Sequence, residues 1–329
     1  MISNKGESLL RLISLEKEAQ EFSRKRENVF VPTTFGVKVI RERFELEQRT
    51  KVYLHEVTAE KKFLAISGAD NIEVHVILPP NIENEKVPVL FYVHGGQFIS
   101  GGIATHSKLV RELACRAHVA VVFPEYSLAP EAKAPEALAE LEEVYKRLPE
   151  LAEEFPLDLS RIMLSGDDSG GTLATCLAYH VQQTTGKKIY KILLFCPVMN
   201  AAFDTNSYHQ FAGGYDLTRE QMKWSWEQYL AFDTDTQSSS ISPLQADFAT
   251  LGGLPETLII TAEADVVRDE AESFARKMRD AGGDVTQIRF QGTIHEFMVH
   301  NVLDKTNTCR LAMNTAVDWI RRRQEESQV

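Results

Sequence analysis

The sequence predicts an α/β fold, with a mostly parallel eight-stranded sheet, helices on both faces and a small helical cap. Three observations lead there. From Pro88 onward, short continuous apolar runs such as Val89-Leu90-Phe91-Tyr92-Val93 alternate with stretches of helical period, the pattern of strands buried on both faces. The 329 residues are 43% hydrophobic, enough for a large core. Between residues 200 and 247 the alternation lapses into an aromatic-rich stretch without strand pattern (Phe203, Tyr208, Phe211, Tyr215, Trp224, Trp226, Tyr229, Phe232), which reads as an insertion over the sheet.

Taken in order, residues 6–25 carry Leu9, Leu12, Ile13, Leu15, Ala19 and Phe22 on one helical stripe. Residues 41–56 and 73–78 read as strands, the second ended by Pro79-Pro80-Asn81. Strand 89–93, helix 107–116 and strand 119–123 follow. A long helix after Pro135 has Ala137, Leu138, Leu141, Val144 and Leu148 on one face. Then come strand 161–164, helix 171–182, strand 191–196, strand 257–261, helix 269–281, strand 284–290 and a C-terminal helix over 306–322. The expected organisation is an N-terminal helical segment, 1–45, shared with the cap, a core of 46–199 and 248–329, and a cap insertion of 200–247. Trp224 and Trp226, two apart on a helix, cannot share a face, so at most one looks toward a site.

A net charge of −11 argues against nucleic-acid and anionic-membrane partners. Cys115, Cys176, Cys196 and Cys309 form no CxxC pair and read as reduced thiols. No basic segment precedes an apolar one at the N-terminus, and no apolar run spans a bilayer. The expectation is a cytoplasmic protein without membrane insertion. Spacings of His106, His118, His180, His209 and His300 suggest no metal site. Arg268, Asp269 and Glu270 read as a salt-bridged helix start, and Glu125 and Glu131 as loop ties.

Chemistry concentrates in a few places. Gly166-Asp167-Asp168-Ser169-Gly170-Gly171 follows an apolar strand and opens a small-residue helix, as in the nucleophile elbow Gly-x-Ser-x-Gly. Asp168 occupies the serine position. His94-Gly95-Gly96-Gln97 directly follows strand 89–93, where backbone N–H groups can form an oxyanion hole. Gln97 brings a side chain into that site. Asp265 and His295 each follow a strand end, in the chain order nucleophile, acid, base.

Together these motifs resemble the hormone-sensitive-lipase-like carboxylesterase and lipase branch of the α/β-hydrolases. Tyr126-Ser127-Leu128-Ala129-Pro130-Glu131 is similar to that family's Tyr-Arg-Leu-Ala-Pro-Glu, and Asp265-Val266-Val267-Arg268-Asp269-Glu270 to Asp-Pro-Leu-Arg-Asp-Glu. Gly292-Thr293-Ile294-His295-Glu296-Phe297 resembles Gly-x-x-His-Gly-Phe. The resemblance covers the chain from about Val87 onward. It implies an α/β-hydrolase fold, a small-molecule ester or apolar ligand, no cofactor and no metal. It makes Gly96, Gln97 and Ser169 the oxyanion donors and His295 a base oriented by Asp265. Gln97, Phe98 and Phe297 become substrate contacts. Strand 284–290 offers an edge on which a homodimer can form.

Asp168 is the departure. A carboxylate has no proton for His295 to remove, so serine chemistry stops, and an inactive or strongly impaired esterase scaffold is the first reading. An Asp-nucleophile hydrolase of epoxide or haloalkane type is an alternative, as is a non-catalytic receptor. Ser169 is disfavoured as nucleophile, because one residue on a helix turns a side chain by about 100°.

Overall fold

The computed structural model describes residues 13–26, 36–65, 71–83, 85–185 and 189–322. Among them, eight strands form one sheet in the order β1-β2-β4-β3-β5-β6-β7-β8. These are β1 (Thr58–Leu64), β2 (Ile72–Leu78), β3 (Val87–Val93), β4 (Ala120–Pro124), β5 (Leu157–Asp167), β6 (Lys191–Phe195), β7 (Thr257–Ala264) and β8 (Val285–Ile294). The two β2 pairings, to β1 and β4, are antiparallel, and the rest are parallel. β3, β4 and β6 bury nearly every residue, as strands covered on both faces must.

The helices are α1 (Lys17–Arg26), α2 (Val37–Glu47), α3 (Ile103–Ala117), α4 (Glu136–Lys146), α5 (Leu148–Glu154), α6 (Asp168–Thr185), α7 (Asn206–Gln210), α8 (Arg219–Tyr229), α9 (Phe248–Gly252), α10 (Arg268–Asp280) and α11 (Asn307–Arg321). α3 packs with α11, and α4 with α6. No helix among the described residues is long and apolar enough to cross a membrane.

Two sequence expectations are corrected. Residues 41–56 are not a strand: 37–47 form α2, and the first strand begins at Thr58. Ile40 and Phe44 lie four apart, on one helical face, and both border a cleft. The helix expected over 6–25 is described only from Lys17. Leu9 and Leu12 lie outside the described residues. Glu16 donates its N–H to the Gly292 carbonyl at 2.7 Å, so the chain before α1 is tied to β8 instead of to a helical turn.

Helix α6 begins at Asp168, three residues earlier than the sequence suggested. Val93 at the end of β3 pairs with Gly166 in β5, and this register sets the His94-Gly95-Gly96 turn beside the start of α6. The sheet reverses its order of addition at β3, with β4 on one side and β5 on the other. Such switch points open a crevice at the carboxyl ends of the strands.

Candidate functional site

Asp168 has φ 44, a left-handed conformation costing a non-glycine residue roughly 1–2 kcal/mol. The turn is held by close approach: a Cβ on Gly170 would lie 2.1 Å from the Val93 carbonyl oxygen. The preceding residue locks it further. Asp167 accepts from Tyr92 Oη at 2.6 Å and from Gly95 N at 3.0 Å, and its Oδ2 lies 3.1 Å from His106 Nε2. Burial works against the Asp167 charge, but His106 and these hydrogen bonds outweigh it and bring the pKa to about 2. His106 moves the opposite way: burial lowers its pKa and Asp167 more than restores it. The two form a buried ion pair beneath the elbow.

Above it, Gly96 has φ +115, and a Cβ there would lie 2.3 Å from the Ser100 carbonyl oxygen, so only glycine fits. The turn directs two backbone donors at one oxygen. Asp168 Oδ2 accepts from Gly96 N at 3.1 Å and from Gln97 N at 2.5 Å. The Gln97 side chain reaches α8, its Oε1 accepting from Ser225 Oγ at 3.0 Å. The Ser169 hydroxyl is already engaged, accepting from Phe98 N at 2.9 Å. His94 is buried, with its ring stacked on Tyr126 at 4.3 Å. Burial first, and then His106, lower its pKa to about 4, so its ring is a neutral structural group.

Asp265, after β7, accepts from Val267 N through Oδ1 and meets His295 Nδ1 through Oδ2 at 2.8 Å. The carboxylate accepts, so Nδ1 carries the proton. His295 Nε2 points to Asp168 Oδ1 at 3.3 Å. That contact is within ion-pair reach, but its geometry is not that of a hydrogen bond, and neither atom has another partner. Burial disfavours the imidazolium, yet Asp265 and Asp168 outweigh burial and hold the His295 pKa well above 6.5.

Asp168, Asp265, His295, Gly96 and Gln97 are thus brought together at four strand ends. Phe98 and Phe297 are placed differently from the expected substrate contacts. Phe98 stacks on Tyr229 at 4.0 Å and Phe297 packs on Phe290 at 5.8 Å, and neither borders the cleft. Trp226, on Phe98, is also buried. The cleft runs from His295, Gly96 and Gln97 to Ile40, Phe44 and Leu217. One wall is charged: Arg26 pairs with Asp216 at 2.7 Å and with Glu47 at 3.1 Å, and Arg43 also bonds Glu47.

Sequence reasoning passed over this wall and two buried acids. Glu270, expected in a salt-bridged helix start, instead accepts from Met199 N at 2.7 Å and Asn200 N at 3.3 Å. The Arg268–Asp269 pair does form. Glu296 stands beside His295 with φ 51. Burial raises the pKa of both acids well above 4.5, assisted by Asp265 and Asp168 for Glu270 and by Asp168 and Asp167 for Glu296. The signal for Glu296 was present: it replaces the glycine of the His-Gly-Phe motif. Among the described residues, two sets of three side chains offer metal-ligand atoms within 4.8 Å of one another, Cys196-Asp265-His295 and Asp168-His295-Glu296.

A family model described as the α/β-hydrolase fold matches residues 90–299. A putative α/β-hydrolase of Acanthamoeba polyphaga mimivirus is 35% identical over 276 residues, covering 82% of this chain and 80% of that protein. Among solved structures, a fungal esterase from Rhizomucor miehei is 31% identical with a TM-score of 0.88, covering 94% of this chain and 96% of its own. A thermostable esterase from Pseudomonas putida is 30% identical with a TM-score of 0.89, covering 97% and 98%.

Proposed function

The chain belongs to the hormone-sensitive-lipase-like carboxylesterase branch of the α/β-hydrolases, and from that premise we propose that it is an ester-hydrolase scaffold blocked at its nucleophile position by Asp168. The carrying observation is that Asp168 Oδ2 accepts from both Gly96 N and Gln97 N. In an active member of such a family those donors stabilise the oxyanion of a tetrahedral intermediate. Here a resident carboxylate fills that place, and no hydroxyl is available for His295 to deprotonate. Gly96 and Gln97 are the oxyanion donors in this reading, with Ser169 N–H beside them, and Asp265 orients His295. Small-molecule esters are the substrate class.

Asp168 Oδ1, which accepts no hydrogen bond and meets only His295 Nε2 at 3.3 Å, favours a second reading. A carboxylate with one oxygen held by backbone donors presents the other for attack on a saturated carbon, which releases a halide or breaks an epoxide C–O bond to leave an alkoxide that takes up a proton; the alkyl-ester intermediate is then hydrolysed by water, returning the free carboxylate. That water step requires neutral His295, and the raised His295 pKa works against it.

The discriminating experiment compares the unmodified protein with Asp168→Ser on short p-nitrophenyl esters. Loss of a triad nucleophile removes several orders of magnitude of rate. The serine variant is therefore expected to gain about 10³-fold or more. A cooperatively folded Asp168→Ser protein with no gain overturns the blocked-esterase reading. A covalent adduct on Asp168, found by mass spectrometry after incubation with an epoxide or alkyl halide, establishes the second one.

A further inference from the structure

Glu270, in the first turn of α10, is 0% exposed. Among the described residues no ion pair reaches it, and the neighbouring Arg268 is taken by Asp269 at 2.8 Å. Its Oε1 accepts instead from Met199 N at 2.7 Å and Asn200 N at 3.3 Å. Those two residues belong to the segment that leaves β6, and the same segment grips the elbow. Val198 N donates to the Asp168 carbonyl at 3.0 Å, and Thr172 Oγ1 donates to the Val198 carbonyl at 2.6 Å. Pro197 stands so close that a Cβ on Gly171 would lie 2.5 Å from the proline Cβ. At the other end of Glu270, α10 begins at Arg268, just after Asp265, whose Oδ1 accepts from Val267 N at 3.0 Å. Glu270 therefore joins the turn that bears the acid to the turn that bears the nucleophile position. We propose that Glu270 is a positioning residue: by holding residues 199 and 200, it fixes the register between residue 168 and the Asp265–His295 pair.

Residue 168 needs such support. Its φ of 44 belongs to a conformation that persists only where the surroundings over-determine it. Without the Glu270 carboxyl, the buried N–H groups of Met199 and Asn200 lose their acceptor, and the backbone must shift to find another. Val198 precedes them directly and hands that shift to the Asp168 carbonyl. Reaction rates are steep in such displacements, since a misplacement of about 1 Å caused far from the chemistry costs about 100-fold. Burial, partly offset by the two N–H donors, raises the Glu270 pKa well above 4.5. Glutamine copies the shape and the accepting oxygen of the protonated acid. The role was hidden in the sequence because Arg268-Asp269-Glu270 reads locally as a charged helix start, while the partners of Glu270 lie after a different strand.

The kinetic half of the test rests on the blocked-esterase reading and takes Asp168→Ser as its parent. Adding Glu270→Leu is expected to lower kcat on short p-nitrophenyl esters by about 10- to 100-fold per titrated active site. KM should stay within about 3-fold, the pattern of an interaction lost in the transition state. Glu270→Gln, which keeps the accepting oxygen, is expected to recover at least about half of the rate. An unchanged kcat in folded Glu270→Leu overturns the proposal, and so does an equal loss in Glu270→Gln. If Glu270→Leu does not fold, Glu270→Asp decides, because its carboxyl is one methylene shorter. A kcat loss of about 10-fold or more then supports the proposal, and the parent kcat overturns it.

The other half needs no catalysis. In the unmodified chain His295 faces Asp168 at 3.3 Å, so Glu270→Leu should shift the His295 imidazole nitrogen resonances. It should also speed amide exchange at Val198, Met199 and Asn200, and Glu270→Gln should do neither. Unmoved His295 resonances overturn the positioning role, even where exchange is faster. The two readings fail separately. If Asp168→Ser gains no esterase activity, the blocked-esterase reading falls and the resonances alone decide the role of Glu270. If Asp168→Ser is active and Glu270→Leu changes neither kcat nor His295, only the positioning role falls.

Discussion

At His295 two effects of opposite sign compete, and geometry decides between them. Burial alone disfavours the imidazolium, but carboxylates stand at both ring nitrogens, Asp265 at 2.8 Å and Asp168 at 3.3 Å, and the pKa is held well above 6.5. At pH 7 the ring is therefore expected to be doubly protonated, as read by imidazole nitrogen NMR. A group whose folded pKa is raised contributes stability that is complete below its unfolded value and is lost as pH climbs through the folded one. The Asp168→Ser variant, with one carboxylate fewer, is expected to titrate at lower pH than the parent. A neutral ring in the parent at pH 7 rules out the pair. This arithmetic also shows why the site was only half legible in the sequence. Asp168, Asp265 and His295 announce themselves by standing just past strand ends in the right order, and Gly96 by needing a backbone that only glycine adopts. Glu296 was marked in the sequence only as a replaced motif glycine, because burial beside two other acids is not a local property of the chain.

Among elements, the strands were the easiest to anticipate, because continuous apolar runs such as 89–93 and 191–195 have no stable home except a sheet covered on both faces. Helix α2 was misread because its packing is decided by Ile40 and Phe44 meeting the cleft, a contact with distant parts of the chain. Pairs between elements were not legible at all. Glu112 in α3 takes Arg116 at 2.7 Å from its own helix and Arg310 at 2.8 Å from α11, which couples the helix packed on β2 and β4 to the C-terminal one. Burial raises the pKa of Glu112, but the two arginines outweigh it and the net shift is downward. A depressed carboxylate contributes stability above its unfolded pKa of about 4.5 and loses it as pH falls through the folded value. Glu112→Gln is expected to cost about 1 kcal/mol at pH 7, toward the low end for charge-assisted bonds, since the Arg310 side chain is 36% exposed and screened. The difference from the parent should shrink in denaturant melts below about pH 4. A cost independent of pH assigns the loss to packing instead.

For the whole molecule, helix α2, which borders the cleft, is held to its neighbours by a few polar contacts. Arg41 of α2 donates through Nε to the Ile99 carbonyl at 2.7 Å and through Nη2 to the Ala129 carbonyl at 2.9 Å, and it also pairs with Glu131. Gln48, just after α2, donates to the Val299 carbonyl and accepts from Asn301 N, holding the segment that follows His295. α2 itself buries little, with Phe44 its one fully buried residue, whereas β3 and β6 bury nearly everything. Elements with few buried apolar contacts open locally at low free energy, while core strands exchange only by global unfolding. Arg41→Ala leaves two carbonyls without this donor, and loss of such bonds costs roughly 1–3 kcal/mol. The expected outcome in hydrogen exchange is faster labelling across 37–48 and around Phe98–Ala129, with β3, β5 and β6 unchanged. Arg41→Lys keeps the charge but not the planar fork that reaches two carbonyls and a carboxylate together, so it should recover only part of the protection. If labelling rises equally in the central strands, α2 is part of the global folding unit, and the cleft cannot open without unfolding the sheet beneath it.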